Sequence, residues 1–124
     1  AEGGRKYLRA IVAALDAMYE EIFLFPRPVV AAINGHAIAG GCVLACCADY
    51  RVLAEGPGRM GVTELRVGVP FPPFAFEILR ATTSPVHFPK FTASGETFDT
   101  EGALANGFAD EAVGADRLMP RALE

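Results

Sequence analysis

Pro28-Val29-Val30-Ala31-Ala32-Ile33-Asn34-Gly35-His36-Ala37-Ile38-Ala39-Gly40-Gly41-Cys42-Val43-Leu44 is an apolar run that meets a turn of mostly small residues and then an apolar helix start. Val29 to Ile33 is β-branched at three positions and bounded by Pro28 and Asn34-Gly35, which predicts a buried strand ending in a turn. The small residues between Ala37 and Gly41 let a ligand approach the main chain closely. Gly41 to Cys47 then predicts a helix. The first amides of a helix lack an acceptor within it and sit at the positive end of its dipole, so Gly40 and Gly41 are candidate donors to an oxygen that gains charge. With Tyr50 to Ala54 as the next strand, the stretch becomes a strand–helix–strand unit and sets the class as α/β.

Upstream, Leu8, Ile11, Val12, Leu15, Met18, Tyr19, Ile22 and Phe23 recur at helical period between Tyr7 and Phe25, and Pro26 and Pro28 stop that helix. Downstream, Glu55-Gly56-Pro57-Gly58 is a turn and Met60 to Val62 a short strand. Pro73 to Ala81 reads as a helix with Pro in its first turn, while Pro85 to Ser94 allows only short helical pieces. Asp99 or Thr100 caps a helix from Glu101 to Asn106 that Gly107 ends. Phe108 to Val113 is a last strand, and Arg117 to Glu124 begins another helix. The expected organisation is one domain over 1–124: a helix over 1–25, a core over 26–115, and the start of a helical region over 116–124.

With 124 residues, 52% apolar content and a net charge of −4, the chain suits a core-forming polypeptide. Nucleic acid is disfavoured as a partner, because no Lys/Arg run offers a basic face. Charged residues or proline interrupt each apolar run short of the roughly 20 residues that a membrane span needs, and residues 1–6 lead into no signal-type apolar segment. Cys42, Cys46 and Cys47 lack the Cys-x-x-Cys spacing and clustered His of a zinc site, so no metal is expected. They read as small buried residues of a reducing, cytoplasmic compartment. The Gly-x-x-x-x-Gly-Gly order from Gly35 to Gly41 matches neither common nucleotide loop.

Three segments, in order, resemble the enoyl-CoA hydratase/isomerase (crotonase) family. They are the Pro28 to Leu44 stretch with the strand Asp49 to Ala54; Arg59-Met60-Gly61-Val62-Thr63-Glu64-Leu65-Arg66-Val67-Gly68-Val69-Pro70; and Thr92 to Asp99 followed by Ala103 to Val113. The resemblance runs from Pro28 over nearly all the rest of the chain. It implies an α/β fold of the crotonase (ClpP/crotonase-like) type, built from stacked strand–helix units of the ββα kind. It also implies incompleteness at both ends, 1–124 being the central part of one such domain, because family members are longer. An acyl-CoA thioester substrate is implied, with coenzyme A only as part of it and no separate cofactor. So is a homotrimer or a dimer of trimers.

By the same resemblance, Gly40 supplies one N–H of an oxyanion hole whose other donor would lie N-terminal to this segment. Ala39, Gly41, Val43 and Phe71 border the substrate. Glu64 falls where hydratases and isomerases of the family keep the acid/base glutamate. Its neighbours from Met60 to Pro73 are apolar or turn-like apart from Arg66, which predicts a raised pKa suited to taking and returning a carbon-bound proton. Taken without the resemblance, Glu64 reads as a solvated surface residue, and Gly40-Gly41 reads equally as close helix-on-strand packing.

Two positions depart from the family's hydratases. Val43 stands where they place a second glutamate, and Phe71-Pro72-Pro73-Phe74 replaces a glycine-rich stretch, which should narrow and dry the pocket. The expected chemistry is therefore a single-glutamate, isomerase-like proton shuttle. Hydration by Glu64 alone and acyl-CoA binding without catalysis are the alternatives. His36 is expected to serve the turn, His87 to be a partly buried helix residue, and Asp99, Glu101, Asp110 and Glu111 to cap or solvate.

Overall fold

A computed structural model describes residues 2–124; Ala1, expected to open the first helix, lies outside the described residues. Helix α1 (Glu2–Phe23) starts more than a turn before Tyr7, with Glu2 at the positive end of its dipole. Gly3 and Gly4 lie within it, on an exposed stretch where a Cβ would meet nothing within 4 Å. Tyr19 is the buried residue of α1; Leu15, Ile22 and Phe23 rest against the core, whereas Tyr7, Leu8, Ile11 and Val12 stay exposed.

The chain then runs twice through the same order. Strands β1 (Val30–Ile33) and β2 (Ala37–Ile38) lead into α2 (Gly40–Cys46), and strands β3 (Tyr50–Ala54) and β4 (Met60–Gly61) lead toward α3 (Pro73–Thr82). Each repeat sends its first strand to one sheet and its second to another: β1 pairs β3 in parallel, Val30 opposite Tyr50, and β2 pairs β4 in parallel, Ala37 opposite Met60. This is the expected ββα stacking. Turns containing Gly separate the two strands of each repeat, Asn34-Gly35 in the first and Gly56-Pro57-Gly58 in the second, and let the backbone change sheets.

The remaining elements complete both sheets. Helix α4 (Phe88–Ser94) carries Pro89 in its first turn and ends on Gly95 in the left-handed region. Strand β5 (Thr97–Phe98) pairs antiparallel with β4. Asp99 caps α5 (Thr100–Asn106), its Oδ1 accepting the Gly102 amide at 2.9 Å. Strand β6 (Glu111–Val113) adds to β3 in parallel, and α6 (Leu118–Ala122) packs on that sheet.

Three expectations need correction. Strand β6 is half the predicted length, because Phe108 and Ala109 are buried ahead of it and Asp110 is committed to Arg51. Asp110 and Glu111 do not merely solvate: Glu111 takes Arg121 Nε at 3.0 Å and the Tyr50 hydroxyl at 3.0 Å. His87 is exposed, since it lies just ahead of α4 and the neighbouring Phe88 takes the inward position. His36 does serve its turn, its Nδ1 accepting the Arg59 amide at 3.2 Å.

The core lies between the sheets and helices and contains a run of aromatic rings that meet tilted or edge-on. Phe71, Phe76, Phe88, Phe91 and Phe108 follow one another with centroids 4.7 to 5.8 Å apart. Burying a ring such as Phe91 or Phe108 contributes about 1.5–3 kcal/mol from transfer alone. Cys42, Cys46 and Cys47 are free and buried in the same core. Among the described residues no helix is long and apolar enough to cross a membrane.

Candidate active site

The junction from Ala37 to Gly41 is held from the side by β4 and its approach. The Ala37 amide donates to Arg59 O at 2.9 Å and the Ala39 amide to Gly61 O at 2.8 Å. Ala39 then turns sharply, with φ 54° and ψ −125°, and is the non-glycine residue with positive φ among those described. Such a conformation costs on the order of 1–3 kcal/mol and persists only where the surroundings enforce it. It reverses the chain into α2, and the Ala39 carbonyl accepts the Cys42 and Val43 amides at 2.9 and 3.1 Å. Among the described residues the amides of Gly40 and Gly41 have no backbone acceptor.

Glu64 opens a 3-10 turn, Glu64–Val67, that follows β4. The Val69 amide returns to Glu64 O at 3.0 Å, and Gly68 ends the turn with φ 72°, a value that favours glycine. The turn draws the Glu64 side chain inward. Glu64 is buried, and its Oε2 has no hydrogen-bond partner. Burial raises its pKa above the usual carboxylate value, against a smaller downward pull from its own amide and that of Thr63.

A cavity of about 570 Å³ joins these parts. Ala39, Gly40, Val43, Glu64, Pro70 and Pro72 form one wall, and Leu8, Ile11, Val12, Leu15 and Tyr19 of α1 form the other. Four of the six residues expected at the site therefore meet: Glu64, Gly40, Ala39 and Val43. The other two do not. Gly41 faces a separate groove beside Asn34, His36 and Leu44, on the far side of the helix turn. Phe71 turns away to stack near Phe76, 5.8 Å between centroids, and Phe74 meets Phe23 edge-on, so prolines rather than phenylalanines narrow the cavity.

Close helix-on-strand packing does not explain the glycine pair. A Cβ on Gly41 would meet nothing within 4 Å, and one on Gly40 would approach the Tyr19 hydroxyl at 3.0 Å. Tyr19 donates that hydroxyl to Gly40 O at 3.3 Å. Burial raises the phenol pKa, and the nearby Cys47, Glu64 and Asp16 raise it further. Nothing in the sequence marks this wall residue apart from its being the one hydroxyl on the apolar stripe of α1, near the buried end of the helix.

A carboxylate made more basic by burial, in one cavity with an amide free to bind a developing oxyanion, can move a proton on carbon next to a carbonyl. Among the described residues no group of three or more His, Cys, Asp or Glu side chains gathers as a metal site requires.

The family model described as enoyl-CoA hydratase/isomerase matches residues 5–124. The chain belongs to the enoyl-CoA hydratase/isomerase family. Its curated relatives include the probable enoyl-CoA hydratase EchA17 of Mycobacterium tuberculosis, 34% identical over 109 residues, which covers 88% of this chain and 40% of the relative. Another is enoyl-CoA delta isomerase 1, mitochondrial, of Mus musculus, 35% identical over 95 residues, covering 76% of this chain and 33% of the relative.

Among solved structures, an enoyl-CoA hydratase/isomerase family protein from Pseudomonas syringae superimposes with a TM-score of 0.87 at 32% identity, covering 92% of this chain and 50% of that one. The apo enoyl-CoA isomerase of Mycobacterium tuberculosis gives 0.84 at 32% identity, covering 94% and 53%. The fold is thus of the crotonase type. The chain spans about half the length of the solved family members it matches, and less of the curated ones.

Proposed function

We propose that the protein carrying this chain is an acyl-CoA enzyme of the hydratase/isomerase class, and that its reaction is a proton transfer next to an enoyl-CoA thioester with Glu64 as the single acid/base. The observation that carries this is the buried Glu64 carboxylate, with an unpartnered Oε2, in the same cavity as Gly40. Glu64 removes a proton from the carbon between the thioester and the double bond of a 3-enoyl-CoA. The C–H electron pair moves into the chain and the negative charge settles on the thioester oxygen. The Gly40 amide hydrogen-bonds that oxygen. Glu64, now a carboxylic acid, returns the proton to the far end of the dienolate, and the double bond ends in conjugation with the thioester.

Coenzyme A enters as part of the substrate, and no further cofactor takes part. The active form is a homotrimer or a dimer of trimers in the cytoplasm. Val43 favours isomerisation over hydration, because a buried apolar side chain stands where a second carboxylate would help hold and activate water. Assay of the protein carrying this chain with 3-enoyl-CoA and 2-enoyl-CoA tests the reading. Isomerisation that Glu64→Gln abolishes supports it; hydration of the 2-enoyl-CoA as the main activity, or turnover indifferent to Glu64→Gln, overturns it.

A further inference from the structure

Building on the oxyanion role proposed for Gly40, we propose that Tyr19 is a positioning residue: its hydroxyl, donated to the Gly40 carbonyl, fixes the pose in which the Gly40 amide meets the substrate oxygen. Tyr19, 3% exposed, lies in the last turns of a helix whose first half is exposed, and with Leu15, Ile22 and Phe23 it anchors α1 to the core. The hydroxyl lies 3.3 Å from the Gly40 carbonyl oxygen, and a Cβ added at Gly40 would come within 3.0 Å of it. Gly40 needs such a restraint. It has no side chain to limit its φ and ψ, its amide is unbound, and the residue before it, Ala39, is in a strained conformation.

The Gly61 carbonyl holds the turn through Ala39 from the β4 side, and Tyr19 holds it through Gly40 from the α1 side. The two grips bracket the peptide that carries the Gly40 amide. Burial and the neighbouring acidic groups keep the phenol protonated at neutral pH, so it remains a donor there. A phenylalanine would fill the same volume and remove the donor alone.

Tyr19→Phe in the protein carrying this chain is the test. Without ligand, exchange of the Cys42 and Val43 amides, which close the turn onto Ala39 O, should quicken about fivefold, as losing one ordinary hydrogen bond allows. With substrate, kcat should fall about fivefold while KM stays within about twofold. Gly40→Ala, whose new methyl meets the hydroxyl, should lose more turnover alone than in the Tyr19→Phe background.

Unchanged exchange at these two amides, an equal rise in exchange across the whole core, or strictly additive losses overturns the inference. A wild-type protein that turns over no acyl-CoA overturns the proposed function, while the exchange comparison still decides the role of Tyr19.

Discussion

Arg51 Nε and Nη2 each stand 2.9 Å from a different carboxylate oxygen of Asp110, a bidentate pair that ties β3 to the approach of β6. Arg51 is 6% exposed and also donates to Thr82 O at 3.1 Å. Removing the carboxylate leaves a buried guanidinium without its counter-charge. Asp110→Ala should therefore cost about 3 kcal/mol, the lower end for a broken buried pair because Asp110 itself is partly exposed. Chemical denaturation of both proteins measures it. A loss below about 0.5 kcal/mol would place the pair among weak surface bridges.

Glu64→Gln should separate activity from stability. Turnover should fall at least about a hundredfold, as the proposed acid/base role requires. Thermal stability at neutral pH should rise, because the variant no longer buries a charge. The sign follows from the raised folded pKa: through the interval from the ordinary carboxylate value up to the folded value, the native state holds the proton that the unfolded state has lost. Wild-type stability therefore declines as pH climbs through that interval and levels above it, and the variant lacks this decline. The rate profile moves oppositely, since the base role proposed for Glu64 needs it ionised. Thermal midpoints and kcat/KM across the acid range check both limbs.

Val43→Glu should push the acid limb of that profile higher still. Val43 is 1% exposed on the cavity wall that holds Glu64, so a carboxylate there adds like charge and is itself desolvated. The cost in stability should be at least about 1–3 kcal/mol. The ratio of hydration to isomerisation should rise. Product analysis with the two enoyl-CoA isomers reads the ratio directly.

Gly61→Ala should disable the site without touching it. A Cβ at Gly61 would stand on the Glu96 carbonyl oxygen and 2.9 Å from Thr97 Cα, both backbone atoms of β5 or its approach. Overpacking there should cost about 1–3 kcal/mol. Because Gly61 O is the acceptor that holds Ala39, turnover should fall by more than the folded fraction accounts for.

The first repeat was legible because its signals are local. Proline, a β-branched run, Asn-Gly and paired glycines each act within a few residues, and they place β1 and α2 nearly where they occur. Strands β2 and β5 were not, since two residues carry no period and their partners are distant in sequence. The position of Glu64 was legible by resemblance, while its burial depends on a 3-10 turn closed by the Val69 amide and a left-handed Gly68. The facing of Phe71 is not legible for a related reason: bulk in the sequence says nothing about direction, and the ring packs against Phe76. In the sequence Tyr19 is, but for its hydroxyl, indistinguishable from the rest of the apolar stripe, because its partner Gly40 lies 21 residues on.

The uneven burial of α1 has a thermodynamic consequence. Leu8, Ile11 and Val12 face the cavity and are exposed, so an apolar chain seated there removes their surface from water along with its own. Ligand and helix then share one transfer free energy. Each added methylene that reaches this wall should raise the thermal midpoint as well as the affinity, making acyl-chain length legible in a melting curve.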